Sequence, residues 1–411
     1  MISRSSVTLL QFVPEELPTF RADVSALFGK YLPRHDVRCD IVGMASESTM
    51  TDQGFESVRR NAPHASRLRR EFSYLLLCIK VLFCTNKKSV DLIQVRDMVS
   101  IGFLAMLIAR IRGIPFVYWM SFLMCEGRIE IARDRIRQGA GVRFRLVLLK
   151  GLLEQSLLYR LVLPAARHIF VQSDVMLELM STKGIAREKL TAVPMGVDTE
   201  ALQPTSIIAR RLEGWDNIPF IAYLGTLDRF RRLEQVVDAL AIVRLRHPST
   251  RLLFIGDASS KAEVADLLAH AKRLGLADAV HVTGWLPAAQ ALSLLAGADA
   301  AISFYPRGEL FDVGTPTKLL ESLALGIPSV GNDNPDQAQV LSDSQSGWLT
   351  ESNAAALANA VQEILDDTVA ARERAKLGPI YIDALRSYRV IAAMVAQRYQ
   401  DLVYFQKTKT R

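Results

Sequence analysis

Short apolar runs alternate along this chain with longer stretches whose apolar positions recur at helical spacing. In the first half VTLLQFV, RCDIVGM, DLIQVRD, PFVYWMS and HIFVQSD read as strands, with helices at LFGKYL, around residues 100 to 110 and over residues 143 to 160. The second half repeats the alternation: FIAYLG, LLFIG, VHVTG, AAISFY and IPSVGN are strands, separated by helical stretches such as LEQVVDALAIVRLR and AEVADLLAHAKRLG. Strands this evenly apolar are covered on both faces, which predicts parallel sheets wrapped by helices. The fold class is α/β, with two doubly wound, Rossmann-like domains in tandem. Between them LTAVPMGVDTEALQP and the polar, irregular SIIARRLEGWDNIP mark a boundary near residue 205. The expected division is residues 1–204, residues 205–385, and a C-terminal helix over residues 386–411 that packs back toward the first domain.

Composition narrows this picture in three ways. Half of the 411 residues are apolar, enough to fill sizeable cores. The four cysteines, Cys39, Cys78, Cys84 and Cys125, form no C-x-x-C pair and lie among apolar residues, so buried free thiols are expected. The formal charge of +7 sits in the first half: residues 1 to 204 hold 28 Lys/Arg against 20 Asp/Glu, whereas residues 205 to 411 hold 22 against 23. Such a basic half suits an anionic surface. Residues 128 to 150 concentrate it, with seven Lys/Arg against two acids leading into the apolar helix RLVLLKGLLEQSLLYRLVL. That pattern fits either an interfacial helix or one whose apolar stripe faces the core. No apolar run approaches the roughly 20 residues of a spanning helix, and the start MISRSSVTLLQFVPEELP is too soon broken for a signal peptide, so a cytoplasmic protein is expected.

The usual nucleotide signatures of Rossmann domains are missing: the chain has no G-x-G-x-x-G after a strand and no G-x-x-x-x-G-K-[ST]. It has no Asp-x-Asp triplet and no His/Cys cluster at ligand spacing, so neither a metal nor another cofactor is expected. Two stretches of the second half suit a phosphate instead. FIAYLG runs into GTLDRFRR, which puts Arg229, Arg231 and Arg232 just past the carboxyl end of a strand. DVGTPTKLLESLALGIPSV passes from a loop shaped by Gly314 and Pro316 into a helix that Thr315 or Thr317 would cap, whose first-turn N–H groups suit a diphosphate. Lys318 adds positive charge, and Glu321, one turn in, can accept hydrogen bonds from both hydroxyls of a ribose.

With those residues in view the chain resembles the GT-B glycosyltransferases of family 4, retaining enzymes that use nucleotide-diphosphate sugars. The resemblance runs through GVDTEALQP (196–204), YLGTLDRFRRLEQVVDAL (223–240), LLFIGD (252–257), VTGWLP (282–287), ADAAISFYP (298–306) and TPTKLLESLALGIPSV (315–330). It implies two domains facing a central cleft, with the acceptor on the first and the nucleotide sugar on the second. Arg231 falls where the family places a cation on the diphosphate, and Glu321 on the second glutamate of its E-x7-E motif. The implied catalytic set is Arg231, Lys318 and Glu321. The implied donor contacts are Gly225, Thr226, Arg229, Arg232, Gly284, Gly314, Thr315 and Thr317. The chain departs from the family at Val313, where the motif's first glutamate would stand, and at Thr226, where an arginine is common. It also lacks a Gly-Gly loop after the first strand, where PEELPTFRAD stands, and a histidine after PFVYWMS.

The expected activity is retaining transfer of a sugar from a nucleotide-diphosphate donor to a glycan or polyprenyl-diphosphate-linked acceptor in surface or exopolysaccharide biosynthesis, with peripheral contact to an anionic membrane. Two alternatives use the same fold: a sugar-nucleotide epimerase, which needs carboxylates and a histidine facing the sugar, and a binding protein without catalysis. Nucleic acid is not an expected partner, because the basic half has no groove-reading motif.

Overall fold

The computed structural model describes residues 6–19, 21–46, 54–63, 66–139 and 141–409, with backbone only for 405–409. The chain forms two compact units: Met1–Pro194 with Tyr388–Arg411, and Met195–Ser387.

The first unit is built on a parallel sheet of strands β1 (Val7–Leu17), β2 (Val37–Ala45), β3 (Ser57–Arg60), β4 (Leu92–Arg96), β5 (Phe116–Met120), β6 (His168–Val171) and β7 (Leu190–Ala192), in the order β3-β2-β1-β4-β5-β6-β7. β4 and β5 are buried along their whole length, as their apolar runs require. The helix Tyr388–Lys409 closes one side of this unit. Its Tyr388, Ile391, Val395 and Tyr399 share a core with Leu9, Phe28, Trp119 and Phe170, and Tyr399 Oη donates to Gln94 Oε1 at 2.6 Å.

The second unit carries β8 (Phe220–Leu224), β9 (Arg251–Ile255), β10 (Val280–Val282), β11 (Ala300–Ser303), β12 (Ser329–Asn332) and β13 (Trp348–Thr350), parallel and in the order β10-β9-β8-β11-β12-β13. From β8 the chain steps outward one way through β9 and β10, then returns to β11 and steps the other way. The crevice beyond the ends of β8 and β11 is therefore the switch point of this sheet, the place where open α/β sheets hold ligands. β1 and β4 make the equivalent point in the first unit.

Three local readings differ from expectation. The division falls at Pro194/Met195, ahead of residue 205, because Met195, Val197 and Leu202 pack on the helix Thr317–Ala324 and Val197 pairs with Ser387. LFGKYL, residues 27–32, lies in a π-helical segment, Ser25–Tyr31, with its last residue opening a 3-10 turn, Leu32–His35. Of the four thiols Cys84 is exposed, since it ends a helix, Arg67–Cys84, that has a second apolar side facing solvent. Among the described residues no helix is long and apolar enough to cross a membrane.

Candidate functional site

β8 is followed at once by Gly225, whose φ of 134° is one that side-chain-bearing residues rarely adopt. A β-carbon there would lie 2.2 Å from Lys318 Cε, so the bare Cα is the seat on which the lysine stem rests. After β9, Gly256 (φ 149°) comes equally close to Gly225: a β-carbon at 256 would be 2.0 Å from the Gly225 carbonyl oxygen. Gly256 also bridges to Gly284 beyond β10. Three strand ends thus present bare backbone side by side, and Gly256 is the member that sequence reading had not singled out.

The loop after Gly225 is pinned to its neighbour. Leu227 N–H donates to the Asp257 carbonyl at 2.9 Å, and the buried Asp228 accepts from Ser259 N–H at 2.8 Å. A single 3-10 turn, Arg229–Arg231, follows. The turn and the residue after it send three arginines different ways: Arg229 and Arg232 are exposed, while Arg231 turns inward and is half-buried. Its guanidinium carbon lies 4.7 Å from the Tyr305 ring centroid and 5.0 Å from that of Phe230. Phe230 stacks in turn on Phe311, closing an aromatic surround. Among the described residues the buried Arg231 Nε and Nη1 have no hydrogen-bond partner.

Tyr305 is itself held. Asn332, fully buried at the end of β12, accepts from Tyr305 N–H and donates to its carbonyl, both at 2.8 Å, and donates to Ser352 Oγ at 2.7 Å. Nothing in the sequence singles Asn332 out, because its role depends on the pairing of β11 with β12.

The helix Thr317–Ala324 completes the site. Leu319, Leu320 and Leu323 bury one face, which fixes Lys318 and Glu321, one turn apart, on the other. The cap position of this helix belongs to Pro316, which has no hydroxyl, and Thr317, expected as a cap, is instead the first residue of the helix itself. Thr315 is buried and Gly314 packs beside the Tyr305 hydroxyl; Thr226 is exposed. Val313 is buried, so an apolar contact occupies the position of the missing glutamate.

Electrostatics follow from this crowding. Burial, reinforced by the Arg231 charge, lowers the Lys318 pKa to about 7. Burial raises that of Glu321 to about 7 against the pull of Lys318. Gly225, Arg231, Lys318 and Glu321 are thus brought together, Gly284 adjoins them through Gly256, and Arg229, Arg232 and Thr226 stand on the outer side of the loop.

The match to protein families has the same two-part layout. Residues 15–196 match the model of the glycosyl transferase 4-like domain, and residues 209–379 that of glycosyl transferases group 1. The chain belongs to the group 1 glycosyltransferases, with their two-domain GT-B fold. It is 27% identical over 183 residues to a glycogen synthase of Mycobacterium tuberculosis, a match covering 44% of this chain and 42% of that one. It is 25% identical over 206 residues to the colanic acid biosynthesis glycosyltransferase WcaL of Escherichia coli, covering 47% and 48%. These curated relatives are therefore matched over less than half their length. The crystal structure of Anabaena Alr3699/HepE in complex with UDP and glucose superposes with a TM-score of 0.67 at 17% identity, covering 95% of this chain and 98% of that one.

The first unit of this glycosyltransferase carries a charge cluster at its own switch point. Arg96, fully buried, ends β4 and pairs with Asp23 and, at 3.2 Å, with Glu15. Burial pushes the Glu15 and Asp97 pKa values up, whereas at Asp23 the same effect is outweighed by Arg96 and Arg21, which hold it at about 2. Asp97 accepts from Ser121 N–H at 2.8 Å. No sequence motif marks this group.

The site makes one prediction that needs no ligand. Lys318 should react with an amine-directed reagent with half-maximal rate near pH 7, whereas ordinary lysines require a pH near about 10. Peptide mapping across a pH series measures this, and Arg231→Gln should move the Lys318 midpoint upward. A midpoint at the ordinary lysine value would contradict the burial described.

Proposed function

We propose that this glycosyltransferase moves a sugar from a nucleoside-diphosphate donor to a glycan or lipid-linked glycan acceptor, with retention at the anomeric carbon, in the synthesis of a surface or exported polysaccharide. The observation that carries the reading is Arg231: a guanidinium at the switch point with two buried, unpartnered nitrogens, beside Lys318. A diphosphate supplies the oxygens that such a group lacks. The UDP in the HepE structure and the polysaccharide named for WcaL support the donor and acceptor classes.

In this reading the bond between the anomeric carbon and the diphosphate oxygen breaks while the acceptor oxygen bonds to the same face. The acceptor proton passes to the departing phosphate. Negative charge grows on that phosphate, and Arg231 and Lys318 meet it from fixed positions, with no resident metal assigned a part. Arg229 and Arg232 remain available to outer phosphate oxygens, and Glu321 takes the ribose hydroxyls. The epimerase alternative loses weight at His168, which is buried in β6 of the first unit against Thr191 with its pKa lowered to about 3 by burial and by Arg398 and Arg167.

The first unit also suits the cytoplasmic membrane face. The helix Val142–Leu157 buries only Gly151, leaving Val142, Leu146, Leu149 and Leu153 exposed in one stripe at helical spacing, with Arg143, Arg145 and Lys150 also exposed. Of the two readings open to this stretch, this arrangement favours the interfacial one.

Two measurements test these statements. Arg231→Ala should lower kcat about a hundred- to a thousandfold with a smaller change in donor KM, and Arg231→Lys should recover part of the rate. Glu321→Ala should chiefly raise donor KM, because the ribose is held alike in ground and transition states. Normal turnover by Arg231→Ala would overturn the assignment. In flotation assays the protein should bind vesicles containing phosphatidylglycerol more at low than at high salt; equal binding to neutral vesicles would remove the electrostatic part.

A further inference from the structure

The helix Arg67–Cys84 has two apolar sides. One, Tyr74, Cys78, Val81 and Leu82, is buried, and Tyr74 Oη donates to the Val13 carbonyl at 2.6 Å, which fastens the helix to β1. The other, Leu68, Phe72, Leu76 and Phe83, faces solvent, with Phe72 62% and Leu68 77% exposed. A helix that is apolar on both sides is expected to be covered on both. The charge around the exposed side is almost wholly positive: Arg67, Arg69 and Lys80 are exposed on the helix, and Lys87 and Lys88 follow its end. Its single acid, Glu71, is tied to Arg67 at 2.9 Å. The helix Val99–Arg112 packs against both this helix and Val142–Leu157. It adds exposed Leu107 and Ile111, together with Arg110 and Arg112, and contains no acid.

We propose that Arg67–Cys84 is a second membrane-seating helix, so that a three-helix face of the first unit, rather than one basic helix, rests on an anionic bilayer. This rests on the membrane reading above and extends it. The cations meet lipid phosphates while Phe72, Leu76 and Phe83 enter the acyl boundary. A second copy of this chain fits less well, because such a face would bring two sets of like charges together.

Cys84 offers a probe on this helix, since it is exposed while Cys39, Cys78 and Cys125 are buried. In the full-length protein an environment-sensitive fluorophore on Cys84 should shift to the blue and brighten on vesicles of phosphatidylcholine with phosphatidylglycerol, and not on phosphatidylcholine alone. In flotation, Phe72→Glu/Leu76→Glu should lower the bound fraction about tenfold. Phe72→Ser, a milder change, should lower it less, with donor turnover in detergent-free solution unchanged. If the wild-type protein fails to float with any vesicle, the membrane reading itself fails. If it floats, but the Cys84 probe is silent and both Phe72 variants float normally, the second helix is not part of the face. A change from dimer to monomer on Phe72→Glu/Leu76→Glu with flotation unaltered would instead make the stripe a self-association surface and overturn the proposal.

Discussion

Arg231 is a cation turned into the protein with two buried nitrogens that no hydrogen-bond partner meets among the described residues. The faces of Tyr305 and Phe230, each worth on the order of 0.5–2 kcal/mol to a cation, offset part of its desolvation, whereas withdrawing a charged group from water costs on the order of several kcal/mol. The remainder is left for a ligand to satisfy. Much of the second unit's local geometry serves to keep that arrangement in place: Asp228 pins the loop that carries Arg231, and Asn332 pins the strand end that carries Tyr305.

The same imbalance governs the neighbouring groups. Lys318 lies in the field of Arg231 and out of water, so it holds its proton weakly, and Glu321 shares the burial and is reluctant to ionise. A site in which two basic side chains converge while burial disfavours the charge of the adjoining carboxylate is biased toward an anion of high charge density. The bare backbone at Gly225 and Gly256 lets the lysine stem and the adjoining loop approach closely enough for this to hold. A side chain at Gly225 would displace the Lys318 stem, and one at Gly256 would push the Gly225 backbone, from which the loop carrying Arg231 starts.

The architecture was legible because buried parallel strands are continuous apolar runs, and the ten quoted strand segments overlap β1, β2, β4 to β6 and β8 to β12. β3, with the sequence SVRR, and the three-residue β13 were not, since neither carries an apolar run. Within the site, residues that are chemically conspicuous could be read: a cluster of arginines past a strand, and a lysine and glutamate one turn apart. Which arginine turns inward was indicated by the family resemblance, which points to Arg231, and not by composition or spacing, because a single 3-10 turn decides it. Asn332 and Gly256 act through register between strands distant in sequence, and the helix cap was misplaced because Thr317 and Pro316 differ by one position in a pattern that periodicity resolves only coarsely. The cluster around Arg96 gathers residues from β1, β4, β5 and the segment after β1, so no contiguous motif announces it.

The central claim is that the switch point of the second unit recognises a diphosphate through Arg231 and Lys318. Its most direct test is calorimetric titration of the full-length protein with a nucleoside monophosphate and the corresponding diphosphate, for the uridine, guanosine and adenosine series. For at least one base the diphosphate should bind at least about tenfold more tightly than the monophosphate, the advantage expected of one well-placed charged hydrogen bond, and Arg231→Ala should abolish that difference. Equal affinities for the two, in every series, would contradict the account.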